Sequence, residues 1–453
     1  MKSRMKADLR IDGGTLVLPE MGLVRAGLAI RDGKIAAIGD ESALPPARKR
    51  IDASGLHVLP GLVDPHGHMG LNDDFAGECE TETRAALKGG VTTIGLFIRT
   101  PGDYLADIPD LAALVGRTAF IDVFFTLNIS DAERVGNIPR YAKQLGIHSY
   151  KFYMWSVPGG KPMDDALLFR GFRQVAKLGR AGLACVHAET KSLIDEATER
   201  VAGLPSGKGS HLKRYTASHP PLAEALAIET AAHLAAAAGV RLYIVHLSSR
   251  DGLETASRLK SFMPDLILET TPHHLNLTEE HDAGMCAKIA PPVRDKSHPE
   301  ALWKGLIEGR IDTIGTDNLP RRRAQKVDHW RDAITGFPGY GTLLPLMLHE
   351  GHHKRNLPLE EVVAKVTANP AKAYGYFPRK GTLRLESDAD IVLVDLKETR
   401  TVRWKDLGHW SDFSVYEGMR LKGWPVMTIK AGKVACAEGR VLAKRGSGGY
   451  LRH

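Results

Sequence analysis

The sequence predicts an α/β protein: a (β/α)8 TIM barrel with a small β-sandwich domain formed by both chain ends. In the middle of the chain, eight strand-like apolar runs alternate with helical patterns, which favours a parallel barrel. Residues 1–55 and 380–453 instead alternate short apolar stretches with turns, as antiparallel sheets do. Since neither end alone could enclose a core, we expect the two ends to pair beside a barrel spanning residues 56–379.

The eight predicted barrel strands are short runs bounded by polar or turn residues. They occupy residues 56–63, 92–98, 120–127, 149–154, 183–187, 241–246, 266–271 and 312–316. Between them, ECETETRAALKGG ends on a glycine pair that suits a helix C-terminus. PLAEALAIETAAHLAAAAG consists of strong helix formers. These segments supply the helices that the barrel requires.

Composition and charge indicate a folded globular protein without an evident nucleic-acid partner. Its 453 residues exceed one small core, and 43% hydrophobic with 25% charged residues is ordinary. The net charge of +8 is modest for this length and its Lys and Arg residues are scattered, so no nucleic-acid partner is expected. The one compact basic run, residues 321–323, is interpreted as a solvated loop, with a nucleic-acid patch or attraction of an acidic substrate as alternatives.

The cysteines and the N-terminus favour a cytoplasmic location. Four cysteines lie far apart without a CxxC pair, which is typical of reduced thiols. MKSRMKADLRIDGG has no apolar core of a signal peptide, and no run of 18 apolar residues predicts a membrane span.

Six potential metal ligands stand at the ends of five apolar runs. They are His66, His68, Lys151, His187, His246 and Asp317. The active site of a barrel lies at the C-terminal ends of its strands, so these side chains should converge. Imidazole nitrogens with one carboxylate suit a two-metal hydrolytic site with cations about 3.5–4 Å apart.

The histidines are individually weak signals. His66 and His68 point to the same side of a strand because they are two residues apart, yet an HxH pair alone is not specific. His187 or His246 alone could equally be a hydrogen-bonded core residue. Their matching positions at the ends of neighbouring strands favour metal binding.

Lys151 and Asp317 each allow two interpretations. Lys151 could emerge to solvent or pair with a carboxylate; alternatively, burial lowers its pKa and the neutral amine takes up CO₂, giving a carbamate that bridges two cations. Asp317 could cap a helix. As a site residue, it would act as general base toward the bridging water, which becomes the attacking hydroxide. It would then return the proton to the leaving nitrogen.

These residues stand in motifs that resemble the cyclic amidohydrolases: the hydantoinase/dihydropyrimidinase group, with allantoinase and dihydroorotase as relatives. PGLVDPHGH is similar to the first-strand motif, SYKFYM to the carboxylated-lysine strand, and VHAE and YIVHLSS to the two single-histidine strands. KIAPPVRDK, GTDNLP, NPAKAYGYFPRKGTL, SDADIVLVD and SVYEGMRLKGWP resemble later stretches. The similarity covers nearly the whole chain.

The resemblance implies hydrolysis of a ring C–N bond in a cyclic amide, ureide or imide by a homotetramer or homodimer. It implies two divalent metal ions, usually zinc, with manganese or cobalt as alternatives. His66, His68 and Asp317 are assigned to the more buried metal, and His187 and His246 to the more exposed one. Lys151, as N6-carboxylysine, is the bridge. Asp317 and Lys151 are thus the predicted catalytic residues.

The departures from the family concern substrate recognition. Hydantoinases place a Tyr where this chain has Ser156, a Ser at Ala290 and an Asn at Thr335. Residues 69–72 lack the allantoinase motif, and Gly70 replaces the dihydroorotase Arg. The predicted substrate contacts are Trp155, Ser156, Tyr153, Ala290, Thr335 and Asn72. Segments 69–75 and 155–163 should form an apolar wall with Met69, Leu71, Phe75 and Trp155, which suits a ring with a hydrophobic substituent or a flat imide. Since Gly70 cannot hold a carboxylate, dihydroorotate should be a poor substrate.

Two other functions stay open at this point. One is an open-chain amide hydrolase of the same superfamily, which the altered recognition residues allow. The other is a non-catalytic scaffold protein, although such relatives lose metal ligands and all six are present here.

Overall fold

Seven short strands open the chain in the computed structural model, which describes residues 6–72, 74–155, 162–204 and 211–453. They are β1 (Ala7–Asp12), β2 (Thr15–Leu18), β3 (Gly22–Arg25), β4 (Gly27–Arg31), β5 (Lys34–Gly39), β6 (Ala47–Asp52) and β7 (His57–Pro60). Two-residue turns and glycines separate several of them, which explains the alternation of apolar stretches and turns in the sequence.

Eight parallel strands follow and form one sheet, in chain order, within the described residues. They are β8 (Leu62–Gly67), β9 (Val91–Ile98), β10 (Asp122–Asn128), β11 (Ser149–Tyr153), β12 (Leu183–His187), β13 (Arg241–Ile244), β14 (Leu266–Thr270) and β15 (Thr313–Ile314). A parallel bridge between Gly67 and Asn318 joins the first strand to the segment after the last. The sheet therefore closes on itself, which confirms the predicted barrel.

Helices connect the barrel strands, and within the described residues four more follow the last of them. They are α1 (Phe75–Lys88), α2 (Tyr104–Thr118), α3 (Ala132–Leu145), α4 (Asp165–Ala176), α5 (Lys191–Ala202), α6 (His211–Ala217), α7 (Pro221–Ala238), α8 (Arg250–Leu259), α9 (Pro272–Asn276), α10 (Ser297–Ile307), α11 (Leu343–Leu346), α12 (Leu359–Lys365), α13 (Ala368–Ala373) and α14 (Trp404–Leu407). Asp74, Asp103, Asp131 and Asp164 each accept a backbone N–H at a helix start, which satisfies a donor that the helix leaves free.

The C-terminal strands pair with the N-terminal ones. They are β16 (Ile391–Thr401), β17 (Arg420–Lys430), β18 (Lys433–Ala437) and β19 (Arg440–Val441). A seven-stranded sheet has the order β19-β18-β17-β16-β7-β2-β3, and a four-stranded sheet has the order β5-β4-β1-β6. Apolar residues from both sheets form one buried cluster, so the predicted pairing of the two chain ends is confirmed. The exact domain boundaries stay a prediction.

The predicted strand 56–63 is two strands in the structure. Residues His57–Pro60 belong to the terminal sheet, where β7 pairs with β16, and β8 of the barrel starts at Leu62. Gly61 lies between them, and a Cβ there would come within 2.3 Å of the Thr92 hydroxyl. The chain can change from one sheet to the other at this point because glycine permits the close approach.

A buried ion cluster joins the terminal sheets to the barrel end opposite the strand tips. Asp122, Asp388 and Asp390 lie close enough together to resemble a cation site. However, the Lys380 ammonium lies 2.5–2.8 Å from all three carboxylates, and Lys430 contacts two of them. The cluster supplies its own counter-charges, so it is interpreted as a structural junction.

Candidate active site

A cavity of about 200 Å³ opens at the C-terminal ends of the barrel strands. All six predicted metal ligands line it: His66, His68, Lys151, His187, His246 and Asp317. Apart from His68, which is slightly more accessible, these side chains are almost fully buried. The structure thus gathers residues that are up to 251 positions apart in one barrel mouth, as strand-end placement predicts.

His66, His68 and Asp317 form the first group of ligand atoms. The Nε2 atoms of His66 and His68 lie 3.1 and 3.0 Å from the same carboxylate oxygen, Oδ1 of Asp317. Asp317 holds a left-handed backbone with φ of 49°, which is strained for a residue other than glycine. Such strain persists where the surrounding structure fixes a side chain for function.

His187 and His246 form the second group. Nδ1 of His187 lies 2.9 Å from Nε2 of His246. Nε2 of His187 lies 2.7 Å from a carboxylate oxygen of the buried Glu189. Burial is the largest influence on both rings and lowers the pKa of each. If a neutral His187 donates its Nε2–H to Glu189, its Nδ1 keeps a lone pair that faces His246. A lone pair in this position could bind a metal ion.

Lys151 lies on β11 and lines the same cavity as both groups, with its amine 4.7 and 5.1 Å from the rings of Phe97 and Tyr153. Its side chain is 1% exposed, and its Nζ makes no hydrogen bond and no ion pair with any described residue. Burial is the dominant influence and lowers the pKa of Lys151 to about 8, although Cys185, Asp317 and Glu269 act in the opposite direction. Neither solvent nor a carboxylate therefore satisfies this amine. A neutral amine ready for carboxylation fits the observation, since an unpaired buried ammonium is costly.

The chain's relatives match it over almost its full length. The amidohydrolase family model matches residues 164–435. An L-hydantoinase of Paenarthrobacter aurescens is 34% identical over 445 residues, with 95% of each chain covered. An allantoinase of Rubrobacter xylanophilus is 33% identical over 451 residues, with 96% of each covered. The solved L-hydantoinase (dihydropyrimidinase) from Arthrobacter aurescens has a TM-score of 0.92 at 31% identity, covering 99% of this chain and 100% of that chain.

This chain belongs to the amidohydrolase family. The family resemblance of the strand-end motifs is thereby confirmed. Further solved structures of D-hydantoinase match this chain with TM-scores of 0.90, which confirms the barrel fold. No helix in the described part of this amidohydrolase combines the length and apolar character needed to cross a membrane.

Glu269 is the central site residue that the sequence analysis missed. It lies on β14, where one carboxylate oxygen is 2.6 Å from Nδ1 of His66 and accepts the backbone N–H of His246 at 3.0 Å. The other oxygen accepts the Tyr243 hydroxyl at 2.8 Å. Glu269 thus fixes the ring of His66 with Nε2 toward Asp317. The signal was present, because LILET places an acid next to the last residue of a buried strand, much as IGTD places one after a strand.

Substituting Glu269 by Gln should weaken metal binding by about 10- to 100-fold, because the amide keeps one acceptor oxygen but loses the negative charge that holds His66, and its NH₂ cannot accept the Tyr243 hydroxyl. Titration of metal-stripped protein with zinc, followed by calorimetry, measures this. Glu254→Gln, on the exposed face of α8, is the matched control. An unchanged zinc affinity in Glu269→Gln, with the fold intact by circular dichroism, would contradict the orienting role.

The predicted substrate contacts are placed unevenly. Tyr153, Trp155, Ala290 and Thr335 line the cavity. Ser156 lies outside the described residues. Asn72 is not on the cavity wall, because its amide donates to Glu78 and to the Pro320 carbonyl, at 2.6 and 2.8 Å.

The apolar wall is only partly as expected. Leu71 and Trp155 line the cavity, whereas Met69 packs into the barrel core and Phe75 packs against it. Trp155 lies nearly parallel to the ring of His187, with centroids 5.7 Å apart. The remaining apolar surface comes from positions that the sequence analysis did not single out, namely Phe97, Ile289, Leu319 and Ile334.

The interpretation of residues 321–323 as a solvated loop is wrong for Arg321. Arg322 and Arg323 are exposed, but Arg321 is buried and lines the cavity. Its guanidinium donates to the Thr335 carbonyl at 3.1 Å and to the Asn72 side-chain oxygen at 2.9 Å. A run of three like charges does not reveal that one of them turns inward to brace a loop.

Proposed function

We propose that this protein hydrolyses a C–N bond in a cyclic amide, ureide or imide with two divalent metal ions. The observation that carries the proposal is the unpaired Lys151 amine, buried between two converging groups of ligand atoms. The relatives named hydantoinase and allantoinase support it, since the chain matches them over almost their whole length.

The donor set fits two metal ions with Lys151 as bridge. His66, His68 and Asp317 would hold one ion, and His187 and His246 the other. The neutral Lys151 amine would attack CO₂, forming an N–C bond and releasing one proton, and the two carbamate oxygens would reach both ions. Nitrogen and oxygen donors of this kind favour zinc, with manganese and cobalt as alternatives. When bound, such ions polarise the scissile carbonyl and lower the pKa of water.

Asp317 would move the proton. Its carboxylate accepts a proton from the attacking water and returns it to the ring nitrogen that leaves. Burial raises the pKa of Asp317, but the neighbouring His66 and His68 outweigh burial and hold it well below the ordinary value. The group therefore stands ionised and ready to accept.

Tyr153 would donate to the oxygen on which negative charge develops. It lies two residues after Lys151 on β11, so both side chains face the barrel axis. Its ring lies 5.1 Å from the Lys151 nitrogen and 5.6 Å from the His187 ring. Its hydroxyl donates to no described residue. Burial, followed by the nearby Asp317 charge, raises the pKa of the phenol, which keeps it protonated.

Tyr153→Phe should lower kcat by about 10²–10³-fold with little change in KM, because the lost hydrogen bond strengthens only as the oxyanion forms. Steady-state kinetics of the zinc-loaded protein measure both constants. Tyr141→Phe, on the outer helix α3, is the matched control. A change confined to KM would instead make Tyr153 a ground-state contact.

We also propose a cytoplasmic homotetramer or homodimer. The four cysteines are buried and unpaired, as in a reducing compartment. Leu222 and Leu226 are adjacent on α7 and are 55% and 45% exposed, so they offer a small apolar surface for a second copy. Light scattering of the purified protein tests the assembly state.

A substrate panel tests the proposed reaction. Hydantoins with a 5-substituent, dihydrouracil, allantoin, dihydroorotate and succinimide would be compared with an open-chain amide, using zinc- and manganese-loaded protein. We expect hydrolysis of at least one ring substrate and none of the open-chain amide. Hydrolysis of the open-chain amide alone would identify a different hydrolase of the family. No hydrolysis and no bound metal would indicate a scaffold protein.

A further inference from the structure

The cavity carries more positive than negative charge among its described lining residues. Asp317 is the only carboxylate that lines it, and that group is already engaged by His66 and His68. Two arginines, Arg99 and Arg321, face the same space. The sequence predicts an apolar wall here, with residues 321–323 as an alternative source of positive charge, so Arg99 is the cation that the structure adds.

Arg321 is hydrogen-bonded within the protein. Its guanidinium donates to the Thr335 carbonyl and to Asn72, as described above. The carboxylate of Glu78 lies behind it, where it accepts the Asn72 amide and the Gly70 N–H, each at 2.6 Å. Arg321 therefore braces the wall and has a nearby negative charge of its own.

Arg99 differs from Arg321 in its contacts. It directly follows β9, is half-buried on the cavity wall, and makes no hydrogen bond or ion pair within the described ranges. Arg134 donates to the carbonyl of Thr100, the residue after Arg99. It lies 4.5 Å from the Tyr104 ring centre and 3.7 Å from the Asp131 carboxylate. Arg134 supplies no negative charge to Arg99, so Arg99 stays unpaired among the described residues.

A guanidinium placed in this way is suited to a ligand anion. Its planar fork binds a carboxylate with two parallel hydrogen bonds, and partial burial beside Leu71 and Phe97 strengthens such a pair relative to water. The protein would otherwise leave a partly desolvated charge without compensation. No described side chain pairs with this guanidinium, so it is available to an anion on a substrate.

We propose that Arg99 binds a carboxylate on the ring substituent, so that the preferred substrates are cyclic ureides with an acidic side chain. The inference rests on the proposed ring hydrolysis and names its substrate class. It also revises the expectation drawn from Gly70. The arginine that dihydroorotases carry after the first barrel strand is absent after β8. In this chain, Arg99 at the end of β9 supplies a positive charge to the cavity instead.

The test compares two substrates of nearly equal shape: 5-(2-carboxyethyl)hydantoin and its neutral amide, 5-(2-carbamoylethyl)hydantoin. With zinc-loaded protein, we expect kcat/KM to favour the acid by at least about tenfold, the effect of one charge-assisted hydrogen-bonded pair. Arg99→Gln should lose that preference by lowering kcat/KM for the acid alone, and Arg99→Lys should retain part of it. Arg117→Gln, exposed at the end of α2, is the control and should behave as the wild type.

A binding measurement separates this proposal from the proposed reaction. Calorimetry with N-carbamoyl-L-glutamate, the ring-opened acid, should show a Kd at least about tenfold weaker for Arg99→Gln than for the wild type. Equal binding by both proteins, or an equal loss of kcat/KM for acid and amide, would overturn the role of Arg99 even if rings are hydrolysed. Arg99-dependent binding without hydrolysis of either ring would retain the carboxylate site and count against the proposed reaction.

Discussion

Replacing Lys151 with alanine is expected to remove both bound metal ions and to lower kcat by at least about 10³-fold, because the bridge between the two ligand groups is lost. The substitution removes an amine that no described residue satisfies. The fold should therefore survive, and the apolar replacement should even relieve the cost of burying that amine. Elemental analysis, kinetics and thermal unfolding of the same preparation measure the three effects.

Two further variants sharpen the Lys151 test. Lys151→Arg keeps a positive charge but cannot form a carbamate, so it should fail as alanine does. A short-chain carboxylic acid added to Lys151→Ala should restore part of the metal content and activity by supplying two oxygens. Lys177→Ala, an exposed lysine after α4, should change nothing. Normal metal binding and activity in Lys151→Arg would contradict the carbamate bridge.

Asp317→Asn is expected to lower kcat by about 10²–10⁴-fold with a much smaller effect on KM, because an amide cannot accept the proton of the attacking water. The oxygen that faces His66 and His68 is retained, so much of the metal content should be retained as well. Steady-state kinetics, paired with elemental analysis, separate proton transfer from metal loss.

Asp110→Asn, on the exposed face of α2, is the control for Asp317→Asn. A loss that appears only in KM would assign Asp317 to substrate binding. A loss of kcat that fully parallels a loss of metal would make it a ligand without a part in proton transfer.

The metal-ligand set could be predicted from sequence because its geometry is encoded locally. Apolar runs mark the strands, parallel strands place their C-terminal ends together, and residues two apart share a face. His66, His68 and Lys151 could therefore be predicted as ligands from their positions within apolar runs alone. The same rule extends to LILET and would have predicted Glu269, which was missed because the predicted ligand set comprised only histidines, Lys151 and Asp317.

Other features depend on contacts that no local pattern encodes. Arg321 turns inward because Thr335 and Asn72, distant in sequence, offer it acceptors. Arg99 follows a strand like many surface arginines, and only the assembled cavity shows that it lines the site without an ion-pair partner among the described residues. The break between β7 and β8 depends on the packing of Gly61 against Thr92. Each of these features depends on contacts with residues that are distant in the sequence.

The central claim is that six side chains of one barrel mouth hold two metal ions bridged by Lys151. Elemental analysis of protein dialysed against metal-free buffer, without chelator, tests it most directly. The account predicts about two divalent ions per chain and about none in Lys151→Ala. An active wild-type protein that contains no metal, or a Lys151→Ala variant that keeps both ions, would contradict it.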